Sequence, residues 1–329
     1  MAILVTGGAG YVGSHVVQGL VDQKQSVIVL DNLSSGFRKA VAEQATFVFG
    51  DVGDGELVSR LIGEHSIDTI MHLAASTVVP ESIVKPLAYY ANNTVKSLAL
   101  IHAAISSGVR HFVFSSTAAV YGNPANQLVT EDAAPQPMSP YATSKLMTET
   151  MLRDAAAASG LTHVTLRYFN VAGADPQLRT GQSTRTPTHL IKVAAQAALG
   201  IRNGMEIFGT DYPTPDGTCI RDYIHVCDLV SAHLKALGYL RCGGASVTLN
   251  CGYGHGYSVR EIIAAVRRVS GRDFTAMPRE RRAGDPAAIF ADSRRLQRVL
   301  SWSPAYDDLE VIVGHALAWE RKLNFEWNL

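Results

Sequence analysis

The chain has 329 residues, of which 47% are hydrophobic and 18% are charged, and its formal net charge is zero. This composition predicts one large or two modest folded domains, and the lack of a basic run gives no indication of nucleic-acid or membrane binding. The four cysteines form no CxxC pair and no histidine pair completes a metal site, which predicts reduced thiols in a cytoplasmic protein without a metal. We expect no signal peptide and no membrane span, because the N-terminus runs directly into a strand and no apolar run reaches about 18 residues.

The chain begins with a predicted strand–helix–strand unit. Residues 3–6 are a short apolar run typical of a buried parallel strand. A helical pattern follows over residues 11–22, and a second apolar strand covers residues 27–30. This order of elements is the context in which a glycine-rich turn indicates a dinucleotide site.

Three glycines and one acid mark that turn. Gly7 permits the tight turn, Gly10 allows a pyrophosphate to approach the backbone, and Gly13 allows close packing of the helix on the strand. The phosphate charge would lie at the helix N-terminus, where free N–H groups favour an anion. Asp31 ends the second strand, where it can accept hydrogen bonds from the adenosine ribose and would repel a 2′-phosphate. The pattern therefore favours NAD over NADP.

The alternation of strands and helices continues to about residue 170. We predict further strands at 46–49, 69–72, 111–114 and 164–168, and helices at 56–65, 93–107 and 141–158. Six strands separated by helices indicate an α/β fold with a Rossmann-type, doubly wound parallel sheet. Ligands bind such sheets beyond the C-terminal ends of the strands, so the residues that follow each strand are candidates for one crevice.

The pattern changes after residue 170. Residues 171–189 are rich in Gly, Pro, Gln and Thr and predict a loop that leads to a second domain. Irregular alternation then predicts a smaller α/β substrate-binding domain over residues 171–329. Residues 222–252 are expected to return to the first domain, which otherwise covers residues 1–170.

A tyrosine and a lysine lie four residues apart in the predicted helix at 141–158. Positions i and i+4 share one helix face, so the ammonium of Lys145 is expected beside the phenol of Tyr141. A nearby positive charge lowers the pKa of a phenol, which makes Tyr141 a candidate general base. Taken alone, this pair is also compatible with an ordinary amphipathic surface.

These features together resemble the extended short-chain dehydrogenase/reductase family, and specifically the UDP-galactose (UDP-glucose) 4-epimerases. The resemblance covers nearly the whole chain. Its motifs are Gly7–Gly13, Asp31-Asn32-Leu33, His72–Ala75, Lys85-Pro86-Leu87, Ser115–Gly122, Pro140–Lys145, Leu166–Asn170, Ile207–Gly209, Asp211–Pro213, Arg221–Val226 and Arg282–Asp285.

The resemblance implies a role for each matching residue. Tyr141 would be the catalytic base, Lys145 would contact the nicotinamide ribose, and Thr117 would share the sugar 4-hydroxyl with Tyr141. The implied NAD-binding residues are Gly7, Gly10, Tyr11, Val12, Gly13, Asp31, Asn32, Leu33, Ser34, Ser35, Gly36, Asp51, Val52, Leu73, Ala74, Ala75, Asn92, Ser115, Tyr141, Lys145, Tyr168 and Phe169. The implied substrate-binding residues are Thr117, Tyr141, Asn170, His189, Leu190, Ile207, Phe208, Arg221, Tyr223, Arg282, Asp285 and Ile289. Arg221 and Arg282 would hold the diphosphate, since guanidinium binds phosphate in a bidentate way.

Two positions depart from the family pattern. Thr77 stands where many relatives carry a lysine near the cofactor pyrophosphate, so that contact is not expected here. Ile289 lies where the family varies its pocket size, and its intermediate bulk leaves tolerance of an N-acetyl group open.

The implied activity is a redox 4-epimerisation of UDP-galactose and UDP-glucose through a 4-keto intermediate. The alternatives are a 4-epimerase of a UDP-pentose or a UDP-N-acetylhexosamine, and a non-catalytic NAD-sensing protein. A 4,6-dehydratase would need carboxylates after Thr117, where the chain has Ala118 and Ala119. Relatives dimerise through helices that match residues 93–107 and 141–158, which implies a homodimer.

Overall fold

The computed structural model describes residues 1–282 and 285–326, and it is built on a central parallel sheet. The strands in chain order are β1 Ala2–Thr6, β2 Val27–Asp31, β3 Thr46–Phe49, β4 Ile67–His72, β5 His111–Thr117, β6 Leu128–Val129, β7 Thr162–Tyr168, β8 Asn170–Ala172, β9 Met205–Phe208, β10 Ile220–Arg221, β11 Tyr223–His225, β12 Val247–Cys251, β13 Tyr257–Ser258, β14 Ala276–Arg279 and β15 Ala288–Ala291. Seven of them form the sheet in the order β12-β7-β5-β4-β1-β2-β3. The predicted Rossmann-type sheet is confirmed.

Helices cover both faces of this sheet, and others belong to the smaller lobe. In chain order the helices are α1 Tyr11–Asp22, α2 Gly55–His65, α3 Val79–Val84, α4 Pro86–Tyr89, α5 Lys96–Ser106, α6 Pro140–Ala158, α7 Leu190–Ala198, α8 Val226–Arg241, α9 Val259–Ser270, α10 Arg294–Leu300 and α11 Leu309–Glu326. Apolar side chains of α1 and α8 pack on one face, and those of α2, α5 and α6 pack on the other. Because each central strand is buried on both faces, its sequence is a continuous apolar run.

The sheet extends by one strand beyond the first 170 residues. β12 pairs in parallel with β7, with Val247 opposite Val164 and Cys251 opposite Tyr168. α10 also packs on this side, since Leu296 and Leu300 belong to the same apolar core as β1 and β2. The chain therefore returns to the sheet after visiting the smaller lobe, and the domain division at residue 170 stays a prediction.

The smaller lobe has its own apolar core, formed by α7, α9, α11 and short strands. α9 begins with the predicted capping box, in which Ser258 and Glu261 exchange side-chain and backbone hydrogen bonds. Short strand pairs that the sequence did not predict, β8 with β11 and β9 with β14, tie the lobe together. Among the helices of the described residues, none has the length and apolar character needed to cross a membrane.

Candidate active site

A cleft of about 470 Å³ lies at the C-terminal ends of the central strands and extends toward the smaller lobe. Most of the residues predicted from the sequence line it: Gly7, Gly10, Tyr11, Val12, Gly13, Asp31, Asn32, Ser34, Ser35, Gly36, Asp51, Val52, Leu73, Ala74, Ala75, Asn92, Thr117, Tyr141, Tyr168, Phe169, Asn170, His189, Arg221, Asp285 and Ile289. Eight other predicted residues are not among those that line it: Leu33, Ser115, Lys145, Leu190, Ile207, Phe208, Tyr223 and Arg282. The fold thus gathers residues as far apart in sequence as Gly7 and Ile289, which are separated by 282 positions, into one cleft.

The glycine turn fits a dinucleotide because Gly7 and Gly13 lie where two backbone segments are too close together for any side chain. Gly7 has a positive φ of 72°, and a Cβ there would lie 2.5 Å from the backbone nitrogen of Ala74. A Cβ on Gly13 would overlap the carbonyl oxygen of Gly7. Gly10 precedes α1 and lines the cleft, so the free N–H groups of the first helical turn face the cavity. These features form a cradle for the pyrophosphate of NAD.

Asp31 is held in place by the backbone around it. Its carboxylate accepts hydrogen bonds from the N–H of Ala9 at 2.9 Å and the N–H of Leu33 at 2.8 Å, and the residue is 8% exposed. Each oxygen retains a lone pair for a ribose hydroxyl. Leu33 itself contributes this N–H from a left-handed conformation with φ of 55° instead of lining the cleft. The geometry fits the ribose of NAD and disfavours a 2′-phosphate.

Asp51 lines the same cleft as Asp31 and is paired with Lys96, a partner that was not predicted from the sequence. The Lys96 ammonium is 2.6 Å from the carboxylate, and the N–H of Gly53 also donates to it. Burial opposes ionisation, but these two donors prevail and lower the pKa of Asp51. A carboxylate that stays charged can accept a donor group of a bound nucleotide.

α6 presents Tyr141 to the cleft. Ser139 caps the helix by accepting from the N–H of Ala142, and Pro140 occupies its first position. Burial raises the pKa of Tyr141, and a hydrogen bond with Thr117 opposes that effect. Tyr141 and Thr117 therefore form a predicted pair, both members of which line the cleft and whose hydroxyl groups are hydrogen-bonded.

The expected effect of Lys145 on Tyr141 is wrong for the protein without ligand. The Lys145 ammonium donates to the carbonyl oxygen of Ser115 at 2.8 Å and lies 4.9 Å from the ring centroid of Phe114. Burial lowers its pKa to about 7, although the charge of Glu149 opposes this. Because the Lys145 ammonium is directed at the carbonyl oxygen of Ser115, desolvation is the largest influence on Tyr141 and raises its pKa.

Ser115 supports the site from behind. Its hydroxyl is 3.1 Å from Nε2 of His233 and is hydrogen-bonded to Tyr168, which does line the cleft. Ser115 thus links the end of β5 to the buried helix α8, and its carbonyl oxygen holds Lys145.

Among the described residues, Arg221 is the arginine that lines the substrate side of the cleft. It is largely buried, and its Nη2 atom forms an ion pair with Asp285 at 3.4 Å but has no hydrogen-bond partner among the described residues. The second predicted arginine, Arg282, lies instead over the ring of Phe208 at 3.8 Å from its centroid. Nη2 of Arg221 can therefore still donate a hydrogen bond to an anion. Ala283 and Gly284 of the Arg282–Asp285 motif lie outside the described residues.

Three other predicted substrate residues, Ile207, Leu190 and Tyr223, belong to the smaller lobe. Ile207 is buried in its core. Leu190 and Tyr223 line a separate cavity of about 30 Å³ next to the main cleft. Ile289 lines the main cleft and packs with Phe169 and Tyr121 in a small apolar cluster.

Several cleft residues were not predicted from the sequence. They are Val79, Ile83, Met138, Ser139, Gln182, Thr184 and Pro286, and Thr77 also lines the cleft. They lie on loops or short helices that are brought to the cleft by contacts remote in sequence, so no local motif marks them. Within residues 1–282 and 285–326, no group of three or more His, Cys, Asp or Glu side chains could hold a metal ion.

Comparison with known proteins agrees with this geometry. The NAD dependent epimerase/dehydratase family matches residues 3–252. The chain is 55% identical over 321 residues to the UDP-glucose 4-epimerase of Azospirillum brasilense, covering 98% of this chain and 92% of that protein. A UDP-glucose-4-epimerase from Stenotrophomonas maltophila, solved with bound NAD and formylated UDP-arabinopyranose, superposes with a TM-score of 0.95 at 40% identity, covering 98% and 99% of the two chains. The UDP-Glc/GlcNAc 4-epimerase of Campylobacter jejuni superposes with a TM-score of 0.85 at 47% identity, covering 98% and 99%.

Proposed function

Since the chain belongs to the NAD dependent epimerase/dehydratase family, we propose that it is a UDP-glucose 4-epimerase that interconverts UDP-galactose and UDP-glucose with NAD as its cofactor. The observation that carries the proposal is the shared cleft. The Tyr141–Thr117 pair, the glycine turn and the Arg221–Asp285 pair all line it. A proton-transfer group in one cleft with a dinucleotide cradle and an anion site is the combination that this reaction needs.

In this proposal, Tyr141 and Thr117 handle the proton of the sugar 4-hydroxyl. The phenolate form of Tyr141 takes that proton when C4 is oxidised, and the resulting phenol returns it when C4 is reduced, while Thr117 orients the hydroxyl. NAD, when bound, supplies the acceptor and donor of the hydride. Lys145 lies one helical turn behind Tyr141, and protonation of its amine would favour the phenolate.

Arg221 would keep UDP in place while the sugar presents either face of C4. Its Nη2 atom forms an ion pair with Asp285 but no hydrogen bond among the described residues, and this supports a contact with the diphosphate. Ala118 and Ala119, which follow Thr117 and line the cleft, supply no carboxylate for expelling water. This disfavours a 4,6-dehydratase on the same fold.

The size of the sugar that is accepted would depend on Ile289. An aliphatic side chain at this wall is smaller than an aromatic one, and the similar Campylobacter jejuni protein is described as acting on both UDP-Glc and UDP-GlcNAc. UDP-N-acetylhexosamines and UDP-pentoses are therefore secondary substrates to test beside UDP-galactose.

We also propose a homodimer, supported by apolar side chains exposed on neighbouring helices. Val84, Leu87, Val95 and Leu98 are each more than half exposed, and Met147 on α6 is 43% exposed. The Leu98→Glu variant should shift the protein toward a monomer in sedimentation velocity, whereas the exposed Met277→Glu control on β14 should not. A wild-type monomer at micromolar concentration would contradict the proposal.

We propose that residues 1–170 and 222–252 bind the cofactor and that the rest of 171–329 binds the UDP-sugar, supported by the separate apolar cores. We propose a cytoplasmic location because Cys219, Cys227, Cys242 and Cys251 are free thiols.

The test uses purified protein with UDP-galactose and no added cofactor, with UDP-glucose formation followed by a coupled assay. Turnover under these conditions is expected, because the cofactor ends each cycle as it began and can remain bound between turnovers. No turnover with any of the UDP-hexoses, even with NAD supplied, would overturn the epimerase assignment.

A further inference from the structure

Gln182 lies in the wall between the main cleft and the adjoining cavity of about 30 Å³. The residue is 7% exposed and borders both spaces. A buried amide in a substrate-facing wall needs hydrogen-bond partners, and those partners indicate what it does.

The backbone at Gln182 is fixed from two directions. The ammonium of Lys192 donates to its carbonyl oxygen at 2.7 Å, and Lys192 is in turn paired with Glu320 of α11. On the other side, a Cβ on Gly181 would overlap the indole ring of Trp319, so the chain packs directly against α11. The direction of the Gln182 side chain is therefore set by the smaller lobe.

That side chain points at His189. Its amide nitrogen Nε2 lies 2.6 Å from Nδ1 of His189. An amide nitrogen can only donate, so Nδ1 accepts, and the neutral imidazole carries its hydrogen on Nε2. We propose that Gln182 is a positioning residue that keeps His189 in the Nε2–H tautomer, so that this N–H serves as a donor to an oxygen of the bound nucleotide sugar.

The location of His189 suits such a contact. It immediately precedes α7 and borders the same cleft as Asn170 and Arg221. The N-terminus of a helix favours an anionic oxygen, and a neutral N–H donor adds to that preference without a counter-charge. The acceptor is a diphosphate oxygen or a sugar hydroxyl, and the inference rests on the proposed epimerase function for its ligand.

The electrostatic surroundings keep the ring neutral. Desolvation by the cleft walls, followed by the charge of Lys192, lowers the pKa of His189. His189 therefore remains a neutral donor at neutral pH. A carboxylate at position 182 would reverse both conditions, since it would accept from Nδ1–H and favour the imidazolium.

The test compares wild type with Gln182→Met and Gln182→Glu, using nitrogen-15 NMR of the histidine rings. The His189 signals are identified by their loss in His189→Asn. Gln196→Met is the matched control, because Gln196 is 8% exposed and hydrogen-bonds Glu320 in the same network. UDP and UDP-glucose affinities, KM, kcat and retained NAD are measured for each protein across pH 6 to 8.5.

We expect the Nε2–H tautomer in wild type and in Gln196→Met, and a mixture of tautomers in Gln182→Met. Gln182→Met should raise KM by roughly five- to tenfold with a smaller change in kcat. Gln182→Glu should raise the pKa of His189 and make UDP-glucose affinity depend on pH. If Gln182→Met binds both UDP and UDP-glucose more weakly than wild type, the acceptor is the diphosphate. If it binds only UDP-glucose more weakly, the acceptor is the sugar.

The Nδ1–H tautomer in wild type would overturn the inference, as would a His189 spectrum and KM that Gln182→Met leaves unchanged. Failure of the proposed function has a different signature. In that case wild type lacks turnover, while the NMR spectra still report whether Gln182 sets the tautomer.

Discussion

The two halves of the cleft are built in different ways. The cofactor half is made of backbone and short side chains at the ends of parallel strands, such as Gly7, Asp31 and Asp51. The substrate half includes long side chains outside the central sheet, such as Arg221 on the short strand β10 and Arg282 on a loop, and the second of these lies on Phe208 instead of facing the cleft. The central sheet fixes the positions of its strand ends, whereas a long flexible side chain is positioned by partners that are remote in sequence.

The largest expected effect is on the group where the two halves meet. Tyr141→Phe removes the proton acceptor and should reduce kcat by about 10²- to 10⁴-fold, because that is the usual contribution of general acid–base catalysis. NAD and UDP should still bind, since the phenol hydroxyl contributes to neither cradle. The measurement is kcat with retained NAD as the control, and epimerisation close to the wild-type rate would refute the role of Tyr141.

A substitution in the glycine turn should disrupt the cofactor half of the cleft alone. Gly13→Ala places a methyl group on the carbonyl oxygen of Gly7, and relief of that overlap should cost roughly 1–3 kcal/mol of NAD binding. Gly63→Ala is the matched control, because no atom lies within 4 Å of its added Cβ and alanine favours the α2 helix. Isothermal titration with NAD should show a loss only in Gly13→Ala, and an equal loss in both variants would argue against the cradle.

The substrate half is tested by its two arginines. Arg221→Met should raise the Kd for UDP by about ten- to a hundredfold, because a charge-assisted hydrogen bond contributes roughly 1.5–3 kcal/mol. Arg282→Met should have a smaller effect if Arg282 keeps its contact with Phe208. Equal losses of UDP affinity in the two variants would show that Arg282 moves into the cleft when UDP binds. The substrate half would then be less different from the cofactor half than the structure without ligand indicates.

The smallest effect concerns the buried charge of Lys145. Its pKa is lowered from 10.5 to about 7 in the folded protein without ligand. Between these values the unfolded chain holds a proton that the folded chain lacks, so this group makes the free energy of unfolding rise with pH. The slope from Lys145 is at most about 1.4 kcal/mol per pH unit.

Denaturant titrations of nucleotide-free protein between pH 7 and 9 measure that slope. Lys145→Met should remove the rise, and Lys24→Met, which changes an exposed lysine, should leave it in place. A slope that is identical in wild type and Lys145→Met would show that Lys145 stays protonated when buried.

Local sequence was sufficient for the cofactor half. The tight turn at Gly7, the capped helix that carries Tyr141, and the acid that ends β2 depend on backbone preferences and on neighbours within a few residues. The pattern of apolar strands separated by helices then determined the parallel sheet, because such strands have to be buried on both faces.

Only the tertiary structure decided the remaining features. The stacking of Arg282 on Phe208, the pairing of Lys96 with Asp51, and the contact of Gln182 with His189 join groups that no motif connects. The pKa values of Tyr141 and Lys145 were likewise not set by their spacing of four residues, since burial outweighs that spacing. The sequence by itself determined which groups are available, and the long-range packing decided which of them are desolvated, paired and presented to the cleft.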